Sequence, residues 1–289
     1  MMRYPRKNRV ACFDFGRGQL TVLEIVDGAV SAWGSRPLSE ALFRNGDPVE
    51  PAALGEVVRE SLARAGIEAR KARMTIPDEA TVSRHVTMPP MRRRDLVRAM
   101  RFAAEQHFPF PIDRACWSWD VTERTRARIT VYLVAAWRDV VDHYAEVARC
   151  AGLDPEVLEP RSVAIARAVD CNQALLIDGG GQRLHLTLLV DGQPVFVDEQ
   201  SKGSSREELR EGLDRLLQRA FRFQSTAMRG STRMAPVLLA GDLEMAELPL
   251  PVRGQPVTRM LNGHLPSAPP GFRVGNYLAN LGLGVRSRR

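Results

Sequence analysis

Two aspartates, Asp14 and Asp178, each end an apolar strand candidate and run straight into glycine. The first segment reads Val10-Ala11-Cys12-Phe13-Asp14-Phe15-Gly16, and the second Ala174-Leu175-Leu176-Ile177-Asp178-Gly179-Gly180-Gly181. A carboxylate beside a glycine turn can hold a metal ion through water or orient an attacking water, while the turn's N–H groups approach an anion. That is phosphate chemistry. Carboxylates also cap turns with no ligand present, so the pair gains its weight from spacing. Asp14 and Asp178 lie 164 positions apart, and so do Asp27-Gly28 and Asp191-Gly192, which close the strand candidates Leu20 to Val26 and Leu184 to Val190. Strand, glycine turn, strand and Asp-Gly make a β-hairpin unit. Two units in one register predict a duplicated domain whose turns face each other across a cleft. On this reading Asp14, Gly16, Arg17, Asp178, Gly179, Gly180 and Gly181 are the phosphate-side candidates. Asp14 and Asp178 are expected about 10 Å apart, sharing a hydrated metal ion.

Other chemistries find less support. No Gly-x-Ser-x-Gly elbow occurs, and Gly203-Ser204-Ser205 reads as a helix cap ahead of Glu207. The histidines His85, His107, His143, His185 and His264 form no i, i+4 pair, and Cys12, Cys116, Cys150 and Cys171 form no Cys-x-x-Cys. A Walker loop is missing. The formal net charge of +7 is partly terminal, and its one compact internal cluster is Arg92-Arg93-Arg94. Aromatics make up only 6%, so a nucleic-acid surface of interleaved basic and aromatic residues is not expected. The longest apolar run, Ile129 to Trp137, contains Thr130 and Tyr132 and is too short to span a bilayer. Met1 to Arg9 lacks the apolar core of a secretory signal. A cytoplasmic protein, touching a membrane only peripherally, is expected.

The elements that would position these residues follow from periodicity. Leu54, Val57, Val58, Leu62 and Ala65 share a helix face after Pro51; Leu96, Met100, Ala103 and His107 share another, stopped by Phe108-Pro109-Phe110-Pro111. Strand candidates Ala72 to Pro77, Thr81 to Met88, Cys116 to Val121 and Ile129 to Ala136 alternate with helices and suggest an inserted α+β subdomain. A helix from Asp139 to Ala151 follows, and Leu209, Leu213, Leu216, Leu217, Ala220 and Phe221 mark a long amphipathic one. Val237 to Ala240 reads as a short buried strand, Leu248 to Gly271 as irregular chain, and Asn276 to Gly284 as a closing helix. The expected divisions are a first lobe over 1–71, the insertion over 72–158 and a shortened second lobe over 159–289.

These residues resemble the actin-like ATPase fold (ribonuclease H-like, α/β) shared by actin, Hsp70 chaperones, sugar kinases and the cell-division protein FtsA. More closely, the chain is similar to the type IV pilus assembly protein PilM family and its relative in mannose-sensitive pilus systems. The most specific stretch is Val86-Thr87-Met88-Pro89-Pro90-Met91, then Leu96 to Met100, then Ala104-Glu105-Gln106-His107-Phe108-Pro109-Phe110-Pro111. Val131 to Trp137 with Val141 to Leu158, Ala174 to Asp178 with Gly192 to Phe196, and Asn276 to Gly284 extend the likeness over nearly the whole chain.

The resemblance implies a cytoplasmic scaffold of a type IV pilus or type II secretion-like platform. Its insertion and first lobe would hold the N-terminal cytoplasmic tail of a bitopic inner-membrane protein, with Phe102, Phe108 and Phe110 as groove walls; self-association stays open. An active ATPase or nucleotide switch, and a small-molecule kinase using Asp78 or Asp95, are the alternatives. The departures bear on them. Where active members carry a small hydroxyl residue in each phosphate turn, this chain has Arg17-Gly18-Gln19 and Gly181-Gln182-Arg183. The adenosine-side motif is Leu238-Leu239-Ala240-Gly241-Asp242, and only Gln200 to Ser204 stand where helices would cover an adenine. The expected cofactor is therefore none, or weakly held Mg-ATP.

Overall fold

Alternation along the first strand decides the layering. In β1 (Arg9–Asp14), Val10 and Cys12 enter one core while Ala11 and Phe13 enter another. A strand buried on both faces needs a layer on each side. The computed structural model describes residues 8–16, 18–227, 235–243, 254–259, 261 and 265–285.

β1 pairs antiparallel with β2 (Gln19–Val26), and β2 with β3 (Ala29–Pro37). A small ribbon of β4 (Phe43–Arg44) and β5 (Asp47–Pro48) leads to α1 (Pro51–Ala65), which starts on a proline and ends at Gly66. β6 (Lys71–Ile76) lies parallel to β1. The chain then departs through β7 (Thr81–Met88), α2 (Arg93–His107), β8 (Ala115–Arg124) and β9 (Ile129–Trp137), which form a three-stranded sheet in the order β7-β9-β8. It returns through α3 (Arg138–Cys150) to β10 (Asp154–Pro160), parallel to β6. The sequence-based insertion over 72–158 is thus drawn too wide. Strand pairing puts β6 and β10 in the first lobe's sheet, and α3 packs with α1 on its outer face. Only the β7–β9 sheet with α2 stands apart.

The second lobe repeats the first. After α4 (Arg161–Val169) come β11 (Gln173–Asp178), β12 (Arg183–Val190) and β13 (Gln193–Ser201), then α5 (Arg206–Ala227), β14 (Val237–Ala240) and β15 (Gly254–Pro256). The two five-stranded sheets run β10-β6-β1-β2-β3 and β15-β14-β11-β12-β13. Their registers match position for position: Asp14 opposes Thr21 and Asp178 opposes His185. Even the bulge recurs, at Glu24/Ile25 and at Leu188/Leu189. Asp27-Gly28 and Asp191-Gly192 all take positive φ, the conformation a tight hairpin turn requires. β15 falls in the stretch read from sequence as irregular chain; its three residues pair along β14, too short a run to carry a periodic signal.

Between the sheets lies the central layer, α4 with α6 (Leu278–Val285), packed against Val10, Cys12, Leu23 and Ile25 from one lobe and Ala174, Leu176 and Leu189 from the other. Asn280 fixes α6 on the first sheet: its Nδ2 donates to the carbonyls of Cys12 (2.9 Å) and Thr21 (3.1 Å), and its Oδ1 accepts from Thr21 Oγ1 at 2.8 Å. The two helices touch at Gly282, where a Cβ would overlap the carbonyl oxygen of Ala164 and lie 2.6 Å from its carbonyl carbon. Gly282→Ala is accordingly expected to cost about 1–3 kcal/mol by forcing α4 and α6 apart, read as a lower urea midpoint with unchanged slope. Among the described residues no helix is long and apolar enough to cross a membrane.

Candidate functional site

The duplicated turns do face each other. At Gly18 of the first turn a Cβ would lie 3.6 Å from the Cβ of Gln182 in the second. Each aspartate ends its strand and folds back on its own turn: Gly16 N donates to Asp14 Oδ1 (3.3 Å) and Gly180 N to Asp178 Oδ1 (3.1 Å). Thr75 Oγ1, at the end of β6, donates to Asp14 Oδ1 at 2.7 Å. Both aspartates are buried. The pairing predicted across the cleft is present, but its filling is not the predicted one.

Arg161, the first residue of α4, stands between them. Its Nε donates to Asp14 Oδ2 at 3.1 Å and its Nη2 to Asp178 Oδ2 at 2.6 Å, so one guanidinium spans carboxylates from both lobes. The side chain is about 1% exposed. Burial alone would lower its pKa; the two carboxylates outweigh burial and hold it above the ordinary arginine value. The hydrated metal expected between Asp14 and Asp178 has no room there. Among the described residues no group of three metal-ligating side chains gathers anywhere.

The glycines expected to cradle phosphate are occupied by the chain as well. A Cβ at Gly16 would overlap Nε of Arg161 and lie 2.5 Å from its Cδ. At Gly179 a Cβ would overlap Leu243, and at Gly241 it would overlap the amide nitrogen of Gly180. Gly241 thus packs its turn onto the second phosphate turn, with Gly179 N donating to Ala240 O at 3.1 Å. Lys202 Nζ takes the Gly179 carbonyl at 2.9 Å. Gly181 has positive φ at the tip of that turn, and Arg17 lies outside the described residues. Mg-ATP, the cofactor the resemblance raised, does not fit these residues as arranged. Beside Gly16 an open cleft of about 330 Å³ remains, lined among others by Phe15, Glu40, Glu79, Arg183 and Glu199. Arg183 pairs with Glu199 (2.8 Å) and Glu40 (3.2 Å). Glu79 is pushed toward its neutral form by burial first and by the Glu199 charge second. Among the described lining residues, three carboxylates to one guanidinium is the wrong sign of wall for a polyphosphate.

The kinase candidates are engaged or misplaced. Asp78 caps the start of α4, accepting from Ser162 N (3.1 Å) and Ser162 Oγ, and His185 Nε2 of the other lobe lies 3.3 Å from it. Asp95 sits exposed in the first turn of α2, next to the exposed Arg92, Arg93 and Arg94.

The aromatic groove also differs from the sequence expectation. Phe108 and Phe110, 6% and 8% exposed, belong to the core between α2 and the three-stranded sheet, while Phe102 is 62% exposed on the opposite side of that helix. They do not form one wall. The apolar slot lies instead on the sheet's other face, about 160 Å³ in volume, where Cys116, Ser118, Val134 and Ala136 meet Val141 and Leu158 of the first lobe. β8 and β10, which line it, are both edge strands in their sheets.

Sequence reasoning missed Arg161 and the slot. The cue for Arg161 was available: a lone arginine opening the otherwise small and apolar run Ser162-Val163-Ala164-Ile165-Ala166. The slot had no local cue, because β8 and β10 meet only through tertiary structure.

Comparison with known proteins accords with this architecture. The chain superimposes on the solved "PilM-PilN type IV pilus biogenesis complex" with a TM-score of 0.74, at 20% identity, covering 96% of this chain and 99% of that one. The cytoplasmic domain of EpsL, an inner membrane component of the type II secretion system of Vibrio cholerae, matches with a TM-score of 0.56 at 14% identity, over 96% and 94% of the chains. The ethanolamine utilization protein EutJ from Carboxydothermus hydrogenoformans matches with 0.52 at 15%, over 98% and 90%. No curated protein matches the chain in sequence at a significant level. At these identities the structures establish the actin-like fold. The sequence model of the type IV pilus assembly protein PilM family matches residues 26–208, more than half of the chain, and by that match the chain belongs to the PilM family.

Proposed function

We propose that the chain is a scaffold of a type IV pilus, or of a type II secretion-like inner-membrane platform, which works without nucleotide turnover. It holds the N-terminal cytoplasmic tail of a bitopic partner and is kept at the inner membrane through that partner. The observation that carries this reading is the slot between the three-stranded sheet and the first lobe. It is apolar at Val134, Ala136, Val141 and Leu158, and it is bordered by two edge strands. An extended peptide gains main-chain hydrogen bonds at such an edge and specificity from side chains set into the slot. The kinship with the PilM–PilN complex and with EpsL supports a pilus or secretion setting. The plugged phosphate turns and acidic cleft wall support a degenerate nucleotide site.

The test is a titration of a synthetic peptide carrying the N-terminal cytoplasmic tail of a PilN-type partner. Ser118→Arg, an exposed position that fills the slot, is expected to weaken binding about tenfold or more without changing the melting curve. Cys116 lines the same slot, so the bound tail should slow its alkylation, followed by mass spectrometry. Cys12 serves as the internal control: burial pushes its thiol up to about 12, and it stays unreactive until the chain unfolds. Affinity should not change with Mg-ATP present. Unchanged affinity in a folded Ser118→Arg chain places the tail elsewhere, and micromolar ATP binding by calorimetry promotes the nucleotide-switch reading instead.

A further inference from the structure

We infer that Arg161 is a built-in cation that replaces a metal–phosphate ligand and ties the two lobes permanently, over a latent divalent-cation site made by Asp14 and Asp178. The inference rests on the nucleotide-free part of the proposed function and is independent of the tail slot.

Arg161 occupies the first position of α4, where the helix dipole disfavours a positive charge. Arg73, on β6 of the first sheet, shows the favourable arrangement: its Nη1 donates to the carbonyls of Leu283 (2.9 Å) and Gly284 (3.3 Å) at the C-terminal end of α6. A buried guanidinium at a helix N-terminus therefore needs another partner, and its two ion pairs are to Asp14 and Asp178. The third nitrogen, Nη1, is buried without a hydrogen-bond partner among the described residues. The side chain is thus held through its charge toward the two carboxylates, not through a fully satisfied network.

The charges make the same point. Asp14 ends β1 of one lobe and Asp178 ends β11 of the other. With nothing between them, two buried carboxylates across one cleft repel, and bringing the lobes together would require protonation or a cation. A hydrated divalent ion would meet that need only when bound. Arg161 meets it at all times, because arginine does not deprotonate in proteins. Gly16 fits the same account. Its missing side chain makes room for Nε and Cδ of Arg161, so a residue read from sequence as a phosphate contact is in this fold an arginine contact. Lobe closure is consequently fixed by covalent sequence and not by a nucleotide cycle.

Removing the guanidinium should uncover the site it fills. The experiment compares wild type, Arg161→Ala and the neutral triple variant Asp14→Asn, Arg161→Met, Asp178→Asn. Each is melted in MgCl2, MnCl2 and NaCl at matched ionic strength, and Mn2+ binding is followed by electron paramagnetic resonance. Wild type should melt alike in all three salts and bind no Mn2+ at this pair. Arg161→Ala should melt about 10 °C lower in NaCl, recover at least half of that loss in either divalent salt, and bind one Mn2+. The triple variant, with the charges removed together, should fold and ignore divalent ions. The inference is overturned if Arg161→Ala melts within about 2 °C of wild type, or gains no more from MgCl2 than from NaCl. It is also overturned if the triple variant is as unstable as Arg161→Ala, which decides the matter should the single variant fail to fold in any salt. Tail binding by the wild-type chain is scored separately, so loss of the scaffold reading and loss of this one are distinguishable.

Discussion

Replacing both Asp14 and Asp178 by alanine is expected to destabilise the folded chain by about 3–5 kcal/mol, the scale for stranding one partner of a buried ion pair. The cost follows from the group that the pair holds in place. Arg161 is buried, its ionised form is favoured by these two carboxylates, and Nη1 already lacks a hydrogen-bond partner among the described residues. Removing both acceptors leaves a full positive charge at the N-terminus of α4, without compensation and in a site closed to water. Thr75 and Gly16 lose their acceptor on Asp14, and Gly180 loses its own on Asp178. Urea unfolding of the double variant should show a lower midpoint, and adding Arg161→Met should recover most of the loss. A double variant as stable as wild type would mean that the guanidinium reaches water when its partners are gone, and that the cleft is open rather than sealed.

The parts of this fold that were legible in the sequence are those with short-range causes. Asp27-Gly28 and Asp191-Gly192 announce hairpin turns because aspartate and glycine tolerate positive φ, and the largely apolar runs they close, Leu20 to Val26 and Leu184 to Val190, are strands covered on both faces. The 164-residue offset then carries the duplication, down to a shared bulge that no local signal predicts. The proline stop after His107 and the Ser205 cap of α5, whose Oγ accepts from Glu208 N at 3.1 Å, are local in the same way. The limits of the insertion were not legible. β6 and β10 look like any strands of an α+β unit, and only their pairing with β1 across long chain separations assigns them to the first lobe. The site failed for a related reason. Aspartate and glycine types are right for phosphate, but the group that meets them is Arg161 at the start of α4, and an arginine opening a run of small residues does not name its partners in two separate strands. A glycine required by close approach looks the same whether a phosphate or an arginine approaches it.

The aromatic run in the insertion gives the second large effect, because the same letters read as groove or as core. Phe108 and Phe110 stack with centroids 5.9 Å apart, and Phe110 rests on Trp137 at 4.6 Å, over which Arg114 lies at 5.7 Å. Beneath them Met100, Ala104, Ala115 and Leu133 complete the core between α2 and the sheet. Phe108→Ala removes a side chain that is 6% exposed from this small core, and a loss of about 3–5 kcal/mol is expected. The three-stranded sheet and α2 pack around a core of their own, so the loss should be confined there. Amide exchange should quicken in α2 and β7–β9 while β1 and β11 keep their protection. Phe102→Ala on the outer face is expected to change stability by no more than about 0.5 kcal/mol. The contrast separates the two readings of the motif. If Phe108→Ala melts like wild type and weakens the tail, the aromatic run is a binding wall after all. If it loosens the insertion, any weakening of the tail follows from the slot's own floor giving way, since β8 and β9 carry the core on one face and the slot on the other.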